Sequence, residues 1–243
     1  MGSEMCIRDS AMDDYFRTVN PRTAPRTPEG DIDLESPACL DMDLLGEHLN
    51  ALARGEEIHL PRYNFVTRVQ SGPIGRPMRL GKDEVAVCEG IHALNDDIAA
   101  YCPDAFRLYI SARSVVVDND GREVFKGTWM RLLRRLVRDS NFRGTPAAAT
   151  LDMWANVRRG EKRFISPFKE RANLMFDSSF PCEVSILKNY AAPLLAAVPE
   201  GAERYAEIRS ILPALERFET IDPALLAPES MLREFIGGGV YSY

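Results

Sequence analysis

The sequence predicts an α/β protein whose central strands belong to a parallel sheet. Apolar, β-branched or aromatic runs at residues 84–88 and 106–111 are typical of strands, and a short helical stretch near residues 96–101 lies between them. A strand, a helix and a second strand at this spacing indicate parallel pairing. The chain has 243 residues, of which 45% are hydrophobic, so it is long enough to bury a sizeable core.

The remaining elements follow from local apolar spacing. One predicted helix ends at Gly55, and its apolar face consists of Leu44, Leu45, His48, Leu49 and Leu52. We interpret His48 as a packed helix residue and not as a ligand. The other predicted elements are strands at residues 57–60, 78–80, 174–176 and 183–187, helices at residues 128–141 and 146–159, and two C-terminal helices.

The N-terminal segment differs from the rest. Residues 1–10 fit no amphipathic period, and we interpret them as a non-native leader. Residues 13–37 are rich in Pro, Arg, Asp and Glu and are predicted to form a long exposed loop of the kind that often carries function. No linker divides the chain after this point, so residues 11–243 are predicted to form a single domain.

The bulk properties exclude several classes of protein. The net charge of −6 and the pI near 5.3 argue against a general nucleic-acid binder. The five cysteines are scattered without the paired short spacing of a structural zinc site. No apolar run reaches the roughly 18 residues of a membrane span, and no secretory signal is present. We therefore expect a soluble cytoplasmic protein with no membrane or nucleic-acid partner.

The most informative local pattern is an arginine-rich helix. Arg131, Arg134, Arg135 and Arg138 follow an i, i+3, i+4, i+7 spacing that gathers four guanidinium groups on one side, while leucines and Val137 occupy the other side. Because like charges repel, something anionic is expected to offset them. Guanidinium forks suit phosphate oxygens, but acidic side chains elsewhere in the chain could serve equally well.

Several acidic and aromatic residues are candidates whose roles the pattern alone leaves open. Glu89 ends an apolar strand, which places its carboxylate at the edge of a sheet where α/β proteins bind ligands, or simply at the surface. Asp13 and Asp14 could supply a general base or could be solvated loop acids. Tyr63 and Phe65, two residues apart, could wall a nucleobase or form one face of a short strand.

The order of these pieces resembles the phosphoribulokinase/uridine kinase-like nucleoside kinases, in their longer bacterial form. The resemblance spans residues 13–237. It is carried by Asp13-Asp14-Tyr15-Phe16, Asp33-Leu34-Glu35-Ser36-Pro37, Leu60-Pro61-Arg62-Tyr63-Asn64-Phe65, Glu89-Gly90-Ile91-His92-Ala93-Leu94-Asn95, Arg134-Arg135-Leu136-Val137-Arg138-Asp139, Val157-Arg158-Arg159-Gly160-Glu161 and Leu232-Arg233-Glu234-Phe235-Ile236-Gly237. The resemblance implies a P-loop NTPase-type parallel sheet flanked by helices.

The resemblance also implies roles for individual residues. Asp13 matches the catalytic aspartate that accepts the proton of the nucleoside 5′-hydroxyl, and Glu89 matches the acid near Mg²⁺, which it would hold through water. The nucleoside would be bound by Phe16, by Glu35 at the ribose hydroxyls, by Tyr63 and Phe65 beside the base, and by Arg68, which replaces a reader that is often His. The lid that neutralises the transferred phosphoryl group would consist of Arg131, Arg134, Arg135, Arg138 and Arg143.

The sequence departs from this family in one respect. No strand, Gly-rich phosphate loop and helix precede Asp13, although such a loop cradles the phosphates of ATP in the family. The segment from Gly75 to Lys82 is no substitute, because five residues separate Gly75 from Gly81 and Asp83 stands where Ser or Thr should bind magnesium. We therefore expect a fold that lacks its first strand, P-loop and first helix, in an N-terminally truncated and inactive chain.

The leading functional hypothesis is ATP-dependent phosphorylation of uridine or cytidine to the 5′-monophosphate in pyrimidine salvage. ATP would be the co-substrate and Mg²⁺ the cofactor, and the resemblance suggests a homo-oligomer. A second hypothesis is a non-catalytic relative that keeps the nucleoside pocket as a sensing or interaction module. A third, an RNA-binding module that uses the arginine helix, is disfavoured by the acidic net charge.

Overall fold

The computed structural model describes residues 6–65, 67–72, 75–202 and 205–241 and contains two compact units. Unit 1 comprises Met1–Tyr109 and Asn156–Met175, and unit 2 comprises Ile110–Ala155 and Phe176–Tyr243. The single domain proposed for residues 11–243 stays a prediction.

Unit 1 contains most of the strands. Its elements are β1 (Cys6–Ala11), α1 (Met42–Ala53), β2 (Ile58–His59), β3 (Arg62–Asn64), β4 (Val69–Ser71), β5 (Pro77–Met78), β6 (Glu84–Glu89) and α2 (Asp96–Ala99). Single 3₁₀ turns cover Met12–Tyr15 and Pro37–Cys39. Three elements run from one unit into the other, namely β7 (Leu108–Ser111), α4 (Ala147–Gly160) and β10 (Leu174–Asp177).

Strand β1 pairs in parallel with β6 over six residue pairs, from Cys6 opposite Glu84 to Ala11 opposite Glu89. The sequence assigned no fold to residues 1–10, so the strand at residues 6–10 differs from that expectation. Ser10 is buried, which ties this strand to the body of unit 1. The non-native origin of the segment stays a prediction, as do the truncation and the missing first elements.

The core of unit 1 forms between α1 and the short strands. It consists of Met12, Tyr15, Leu40, Leu45, Leu52, Ile58, Leu60, Met78 and Ile98. Helix α1 begins at Asp41, whose side chain accepts a hydrogen bond from the Leu44 N–H and so satisfies a free donor of the first turn. This core supports the turn at Met12–Tyr15, because two of its four residues are core members.

Unit 2 is mainly helical. Its further elements are β8 (Val116–Val117), β9 (Glu123–Phe125), α3 (Gly127–Phe142), α5 (Glu183–Ala196), α6 (Tyr205–Glu216) and α7 (Arg233–Ile236). Helix α3 packs against α5 and α7, and α5 packs against α6. The apolar side of α3 is fully covered, since Leu132, Leu133, Leu136 and Val137 are at most 1% exposed.

Most predicted helices and strands are present, but one predicted strand is helical. The helices predicted at residues 44–52, 128–141 and 146–159 correspond to α1, α3 and α4. The strand predicted at residues 183–187 is wrong, because these residues open helix α5. Val184, Leu187, Ala191 and Leu195 are all buried at helical spacing, and this longer period outweighs the local strand preference of two β-branched residues.

The described part of the chain contains the parallel pair β1·β6, but the expected pairing of the strands at residues 84–88 and 106–111 is wrong, because β6 and β7 lie in separate two-stranded sheets. Strand β6 pairs with β1, β7 with β10, and the pairs β2·β5, β3·β4 and β8·β9 are antiparallel. In the ranges described above, no helix combines the length and the apolar character needed to cross a lipid bilayer. The strands of the parallel pair β1·β6 end at the same edge, where the predicted site residue Glu89 ends β6 and Asp13 follows β1.

Gly90 lies where the two chain segments that follow β1 and β6 approach each other closely. A Cβ atom at position 90 would lie 2.8 Å from the Met12 Cβ, nearer than real Cβ contacts allow. We expect Gly90→Ala to lower the free energy of unfolding by about 1–3 kcal/mol, as forced overpacking does. Gly72→Ala is the matched control, because an added Cβ there meets nothing within 4 Å. Urea unfolding measures both, and equal stability of the two variants would contradict this close approach.

Candidate functional site

The predicted base and the predicted magnesium acid lie at the same edge of the β1·β6 pair. Ala11, the last residue of β1, is paired with Glu89, the last residue of β6, and Asp13 follows two residues later. Partial desolvation and then the negative charges of Asp13, Asp9 and Asp14 raise the pKa of Glu89. The two candidate carboxylates are thus close enough to repel each other.

Asp14 connects the Met12–Tyr15 turn to a strand that is distant in sequence. Its Oδ1 accepts a hydrogen bond of 3.1 Å from the backbone N–H of Tyr63 in β3. Asp13 is exposed, while Asp14 is only partly so. Asp14 therefore ties the turn that carries Asp13 to the strand that carries the predicted aromatic wall.

The three aromatic residues predicted to bind the nucleoside form one cluster. The ring centroids of Phe16 and Tyr63 are 5.6 Å apart, those of Phe16 and Phe65 6.3 Å, and those of Tyr63 and Phe65 5.0 Å. Phe65 is 61% exposed, so the cluster presents apolar ring surface to solvent. Desolvation raises the pKa of Tyr63, and the nearby positive charge of Arg68 opposes that shift.

Arg68 occupies an unusual backbone position. Its φ angle of 57° lies in the left-handed region, which non-glycine residues rarely adopt. Two backbone hydrogen bonds hold it there, one from its N–H to the Asn64 carbonyl at 2.7 Å and one from the Val19 N–H to its own carbonyl at 3.1 Å. The tight turn between β3 and β4 thereby places the Arg68 charge beside Tyr63.

Glu35 lies in a loop that is built around the buried carboxylate of Asp33. The Glu35 N–H donates to Asp33 Oδ1 at 3.3 Å, and the Cys39 thiol donates to the Asp33 carbonyl at 3.3 Å. Burial and then the charges of Asp33 and Glu35 raise the pKa of Cys39 to about 11. A Cβ atom at Gly160 would lie 2.5 Å from the Glu35 Cβ, so the glycine leaves room for this side chain.

Two further residues of unit 1 surround the same loop and were missed from the sequence. Arg159 donates from Nη2 to Asp33 Oδ1 at 2.9 Å. His92 is only 2% exposed, and its burial lowers its pKa to about 4 despite the opposing charge of Asp33, so the ring is neutral at neutral pH. Both residues lie in motifs that carry the family resemblance, but the sequence assigned neither a role, since their contacts join distant segments.

In unit 2, Arg134 of α3 is held by a fully buried acid. Its Nε and Nη2 donate to the two carboxylate oxygens of Glu183, and Nη2 also donates to the Ser178 carbonyl at 2.7 Å. Glu183 is 0% exposed, and the guanidinium also lies over the Phe235 ring at 5.2 Å. These contacts use most of the N–H donors of Arg134, so the role of this arginine is structural.

The other arginines of this face share a single carboxylate. Asp139 is 2% exposed and forms ion pairs with Arg138 at 3.2 Å and with Arg135 and Arg143 at 3.4 Å each. One negative charge therefore faces three positive charges. Arg131, one turn earlier, donates to the Ser111 hydroxyl at 3.3 Å. The expectation that something anionic offsets the arginines is fulfilled in part by acids of the chain itself.

The segment considered as a substitute phosphate loop has a different structure. Pro77–Met78 forms strand β5 in an antiparallel pair with β2, and the Gly81 N–H donates to Glu84 Oε2 at 2.9 Å. Within the described ranges, no group of three or more His, Cys, Asp or Glu side chains is placed to hold a metal ion by itself. A metal at Glu89 would thus depend on further ligands such as water or substrate.

A cavity of about 610 Å³ in unit 1 contains none of the predicted site residues. It lies between α1 and β2 and is lined by Glu47, His48, Asn50, Arg54, Glu57 and His59, among others. The Nδ1 atom of His48 lies 2.9 Å from the Tyr15 hydroxyl, consistent with its predicted packing role. Charges of both signs surround the opening, so nothing indicates a particular ligand.

Breaking the buried Arg134–Glu183 pair should be costly. Glu183→Gln would leave the Arg134 charge without its counter-ion in a desolvated position, and we expect the free energy of unfolding to fall by roughly 3–5 kcal/mol. Glu219→Gln, at an exposed position, is the control and should change stability by less than about 0.5 kcal/mol. Chemical denaturation measures both. A Glu183→Gln protein as stable as the control would show that Arg134 is not held in this way.

Comparison with known proteins identifies the family to which the chain belongs. Residues 3–184 match the profile of the Phosphoribulokinase / Uridine kinase family (PRK), which is well over half of the chain. A protein named uridine kinase from Halobacterium salinarum is 27% identical over 165 residues, or 68% of this chain and 64% of that protein. Uridine kinases from Staphylococcus haemolyticus and Bacillus pumilus are 27% and 29% identical over 177 and 153 residues, covering 72% and 63% of this chain and 76% and 64% of those proteins.

The chain thus spans slightly less than two thirds of the length of the Halobacterium and Bacillus relatives. The matched region contains both groups of predicted site residues, those of unit 1 and the arginines of α3. On the extent of the profile match, the chain belongs to the phosphoribulokinase / uridine kinase family.

Proposed function

We propose that this protein binds a pyrimidine nucleoside and supplies the acceptor half of an ATP-dependent kinase. The reaction transfers the γ-phosphoryl group of ATP to the 5′-hydroxyl of uridine or cytidine, as in pyrimidine salvage. A cytoplasmic location and a homo-oligomeric state belong to the same proposal. The relatives named uridine kinase support the choice of nucleoside.

One observation supports this proposal most strongly. Asp13 and Phe16 lie three residues apart, and the intervening Asp14 binds the backbone of Tyr63. A carboxylate and an aromatic wall are therefore fixed to one short turn. A nucleoside has a flat aromatic nucleobase at one end and a reactive 5′-hydroxyl at the other. A site of this kind can hold the nucleobase against the aromatic wall while the carboxylate accepts the proton of the hydroxyl.

The proposed roles follow from chemistry. Asp13 accepts the proton of the attacking 5′-hydroxyl. Phe16, Tyr63 and Phe65 contact the base, and Arg68 can donate to a carbonyl of a pyrimidine from its position beside Tyr63. Glu35 accepts hydrogen bonds from the ribose hydroxyls.

Glu89 fits a magnesium ion held mainly through water. Partial desolvation and then the negative charge of Asp13 raise the pKa of Glu89, and a divalent cation would relieve the repulsion between the two carboxylates. Mg²⁺ commonly keeps several waters and uses one or two carboxylates, so the small number of acidic ligands is compatible with it. When bound, the ion neutralises charge on the phosphates of the nucleotide.

The arginines of α3 differ in what they can contribute. Arg134 is bound to Glu183, so we assign it to maintaining the fold. Arg131, Arg135, Arg138 and Arg143 remain candidates for stabilising the transferred phosphoryl group. Three of them form ion pairs with Asp139 on one helix face, and guanidinium groups also suit phosphate oxygens.

A non-catalytic nucleoside-binding module is the alternative function. The sequence contains no Gly-rich loop followed by Lys and Ser or Thr, and phosphoryl transfer depends on fixing the phosphates of ATP. We therefore propose that this chain by itself binds nucleoside without turning over ATP. Coding sequence for such a loop, in frame before Asp13, would favour the kinase over the binding module.

Nucleoside binding by this chain tests the proposal directly. We expect isothermal calorimetry to detect uridine binding, Phe65→Ala to weaken it about tenfold through lost stacking, and Mg²⁺-ATP to give no uridine phosphorylation. Phe106→Ala is the matched control, because Phe106 is 71% exposed and lies outside the aromatic cluster. Absence of uridine binding would refute the proposed function, and phosphorylation at rates typical of kinases would refute the dependence on a phosphate loop.

Kinetics separate Asp13 from Glu35 in a chain extended with a phosphate loop. Asp13→Asn should lower kcat by roughly 10²-fold or more with little change in nucleoside affinity, since the amide keeps the shape but cannot take the proton. Glu35→Gln should mainly raise KM, by the equivalent of about 1.5–3 kcal/mol, since its hydrogen bonds exist already in the ground state. With uridine as the varied substrate, a normal kcat for Asp13→Asn would remove Asp13 from the mechanism.

A further inference from the structure

The side chain and the backbone of Tyr15 bind the turn that carries Asp13 to helix α1. Tyr15 is 1% exposed, and its hydroxyl oxygen lies 2.9 Å from Nδ1 of His48 in the middle of the helix. The two rings meet edge to face, with centroids 5.6 Å apart. The Tyr15 carbonyl accepts a 2.8 Å hydrogen bond from the N–H of Asp41, at which α1 begins. Two hydrogen bonds of Tyr15 therefore hold the turn against α1.

The surroundings of this contact indicate which atom donates. Burial raises the pKa of the Tyr15 phenol above its usual range, against a hydrogen bond from the Ser10 hydroxyl that lowers it. The phenol therefore stays protonated, and since its oxygen accepts from Ser10, its own hydrogen is available to His48. Burial also lowers the pKa of His48, so the ring is neutral at neutral pH. Nδ1 of the neutral ring then accepts the Tyr15 hydrogen, and Nε2 carries the ring hydrogen.

His48 can exchange a proton with solvent, because its ring lines the cavity of about 610 Å³ between α1 and β2. After burial, which lowers its pKa most, Glu47 of the same helix raises that pKa and His59 of β2 lowers it. Arg54 and Glu57 line the same cavity. Because the pKa is lower in the folded chain than in the unfolded chain, the stability that the neutral ring contributes is fully present above pH 6.5. It is lost progressively as the pH falls from there through the lowered pKa.

Protonation of His48 removes the acceptor on which Tyr15 depends. An imidazolium carries hydrogen on both ring nitrogens, so Nδ1 becomes a second donor facing the Tyr15 hydroxyl. This hydroxyl must then find another acceptor at a site that is 1% exposed, and we expect the turn to shift relative to α1. The turn also carries Asp14, whose carboxylate binds the Tyr63 N–H at 3.1 Å. A shift of the turn therefore reaches both Asp13 and the aromatic cluster.

We propose that His48 is a positioning residue, which holds the turn of the nucleoside site through Tyr15, and that protonation of His48 from the cavity weakens nucleoside binding below neutral pH. The nucleoside step rests on the proposed function, whereas the link from His48 to the turn does not. The contact joins helix α1, the turn and, through Ser10, the end of strand β1, so one proton acts where these three elements meet. His48 acts through the position of the turn and takes no part in the reaction itself.

Calorimetry with uridine at about pH 7.5 and about pH 5.5 tests this proposal. We expect the unaltered chain to bind uridine at least about threefold more weakly at the lower pH. His48→Asn should bind nearly equally at both, because its Oδ1 can accept the Tyr15 hydrogen in place of Nδ1 but takes up no proton. Tyr15→Phe should also remove the pH dependence, since it leaves His48 to titrate without a link to the turn.

His59→Asn is the matched control. His59 lines the same cavity, but the contact with Tyr15 belongs to His48. This variant should keep the pH dependence of the unaltered chain. Glu89, whose pKa is raised, and His92, whose pKa burial lowers to about 4, are present in every variant, so their titration does not distinguish one variant from another.

An NMR titration of the chain without nucleoside measures the first step separately. We expect the backbone amide signals of Asp13 and Asp14 to shift with the midpoint of the His48 ring and to lose that midpoint in His48→Asn. Amides that do not follow His48 would overturn the proposal. So would a His48→Asn chain with the full pH dependence of uridine binding, or an unaltered chain with the same affinity at both pH values. If the chain binds no nucleoside at either pH, the proposed function fails, while the NMR titration still decides whether His48 positions the turn.

Discussion

The parallel pairing of β1 with β6 is the constraint on which the candidate site of unit 1 depends. Parallel strands end at the same edge, so the register that sets Ala11 opposite Glu89 also sets Asp13 close to Glu89. The Met12 side chain packs against Gly90 without space for another carbon, which fixes the two loops that leave this edge.

From this edge the arrangement extends through a few specific contacts. Asp14 connects the edge to the aromatic strand β3, and Asp33 connects the Glu35 loop to the end of α4. Both acids act through hydrogen bonds to groups far away in sequence. In unit 2, Glu183 and Asp139 play a comparable part, since each is buried and compensates arginines of α3. Buried acids with partners inside the protein thus hold both units in shape.

Sequence reasoning succeeded where a single element carries the signal. Helix α3 was predictable because its leucines and its arginines each follow a helical period on opposite sides. The aromatic cluster was anticipated in part, since Tyr63 and Phe65 are two residues apart in the sequence. The buried position of Glu183 was not predicted. Its neighbours in the sequence favoured a strand, and its partner Arg134 is 49 residues away. Burial of a charge with a distant partner leaves no local pattern, so Asp33, Asp139, His92 and Arg159 could not be assigned from sequence, and the individual roles came from family resemblance alone.

The exposed face of the β1·β6 pair has a practical consequence. Ile7 is 63% exposed, and Val85 and Val87 are 43% and 44% exposed, although parallel sheets are normally covered on both faces. Apolar strand residues beside unpaired backbone groups attract other strands, which is how edge-to-edge aggregation begins. A preparation of this chain will therefore be most manageable at low protein concentration, and a lysine at position 85 or 87 offers a way to keep it dispersed without touching Asp13, Glu89 or the aromatic cluster.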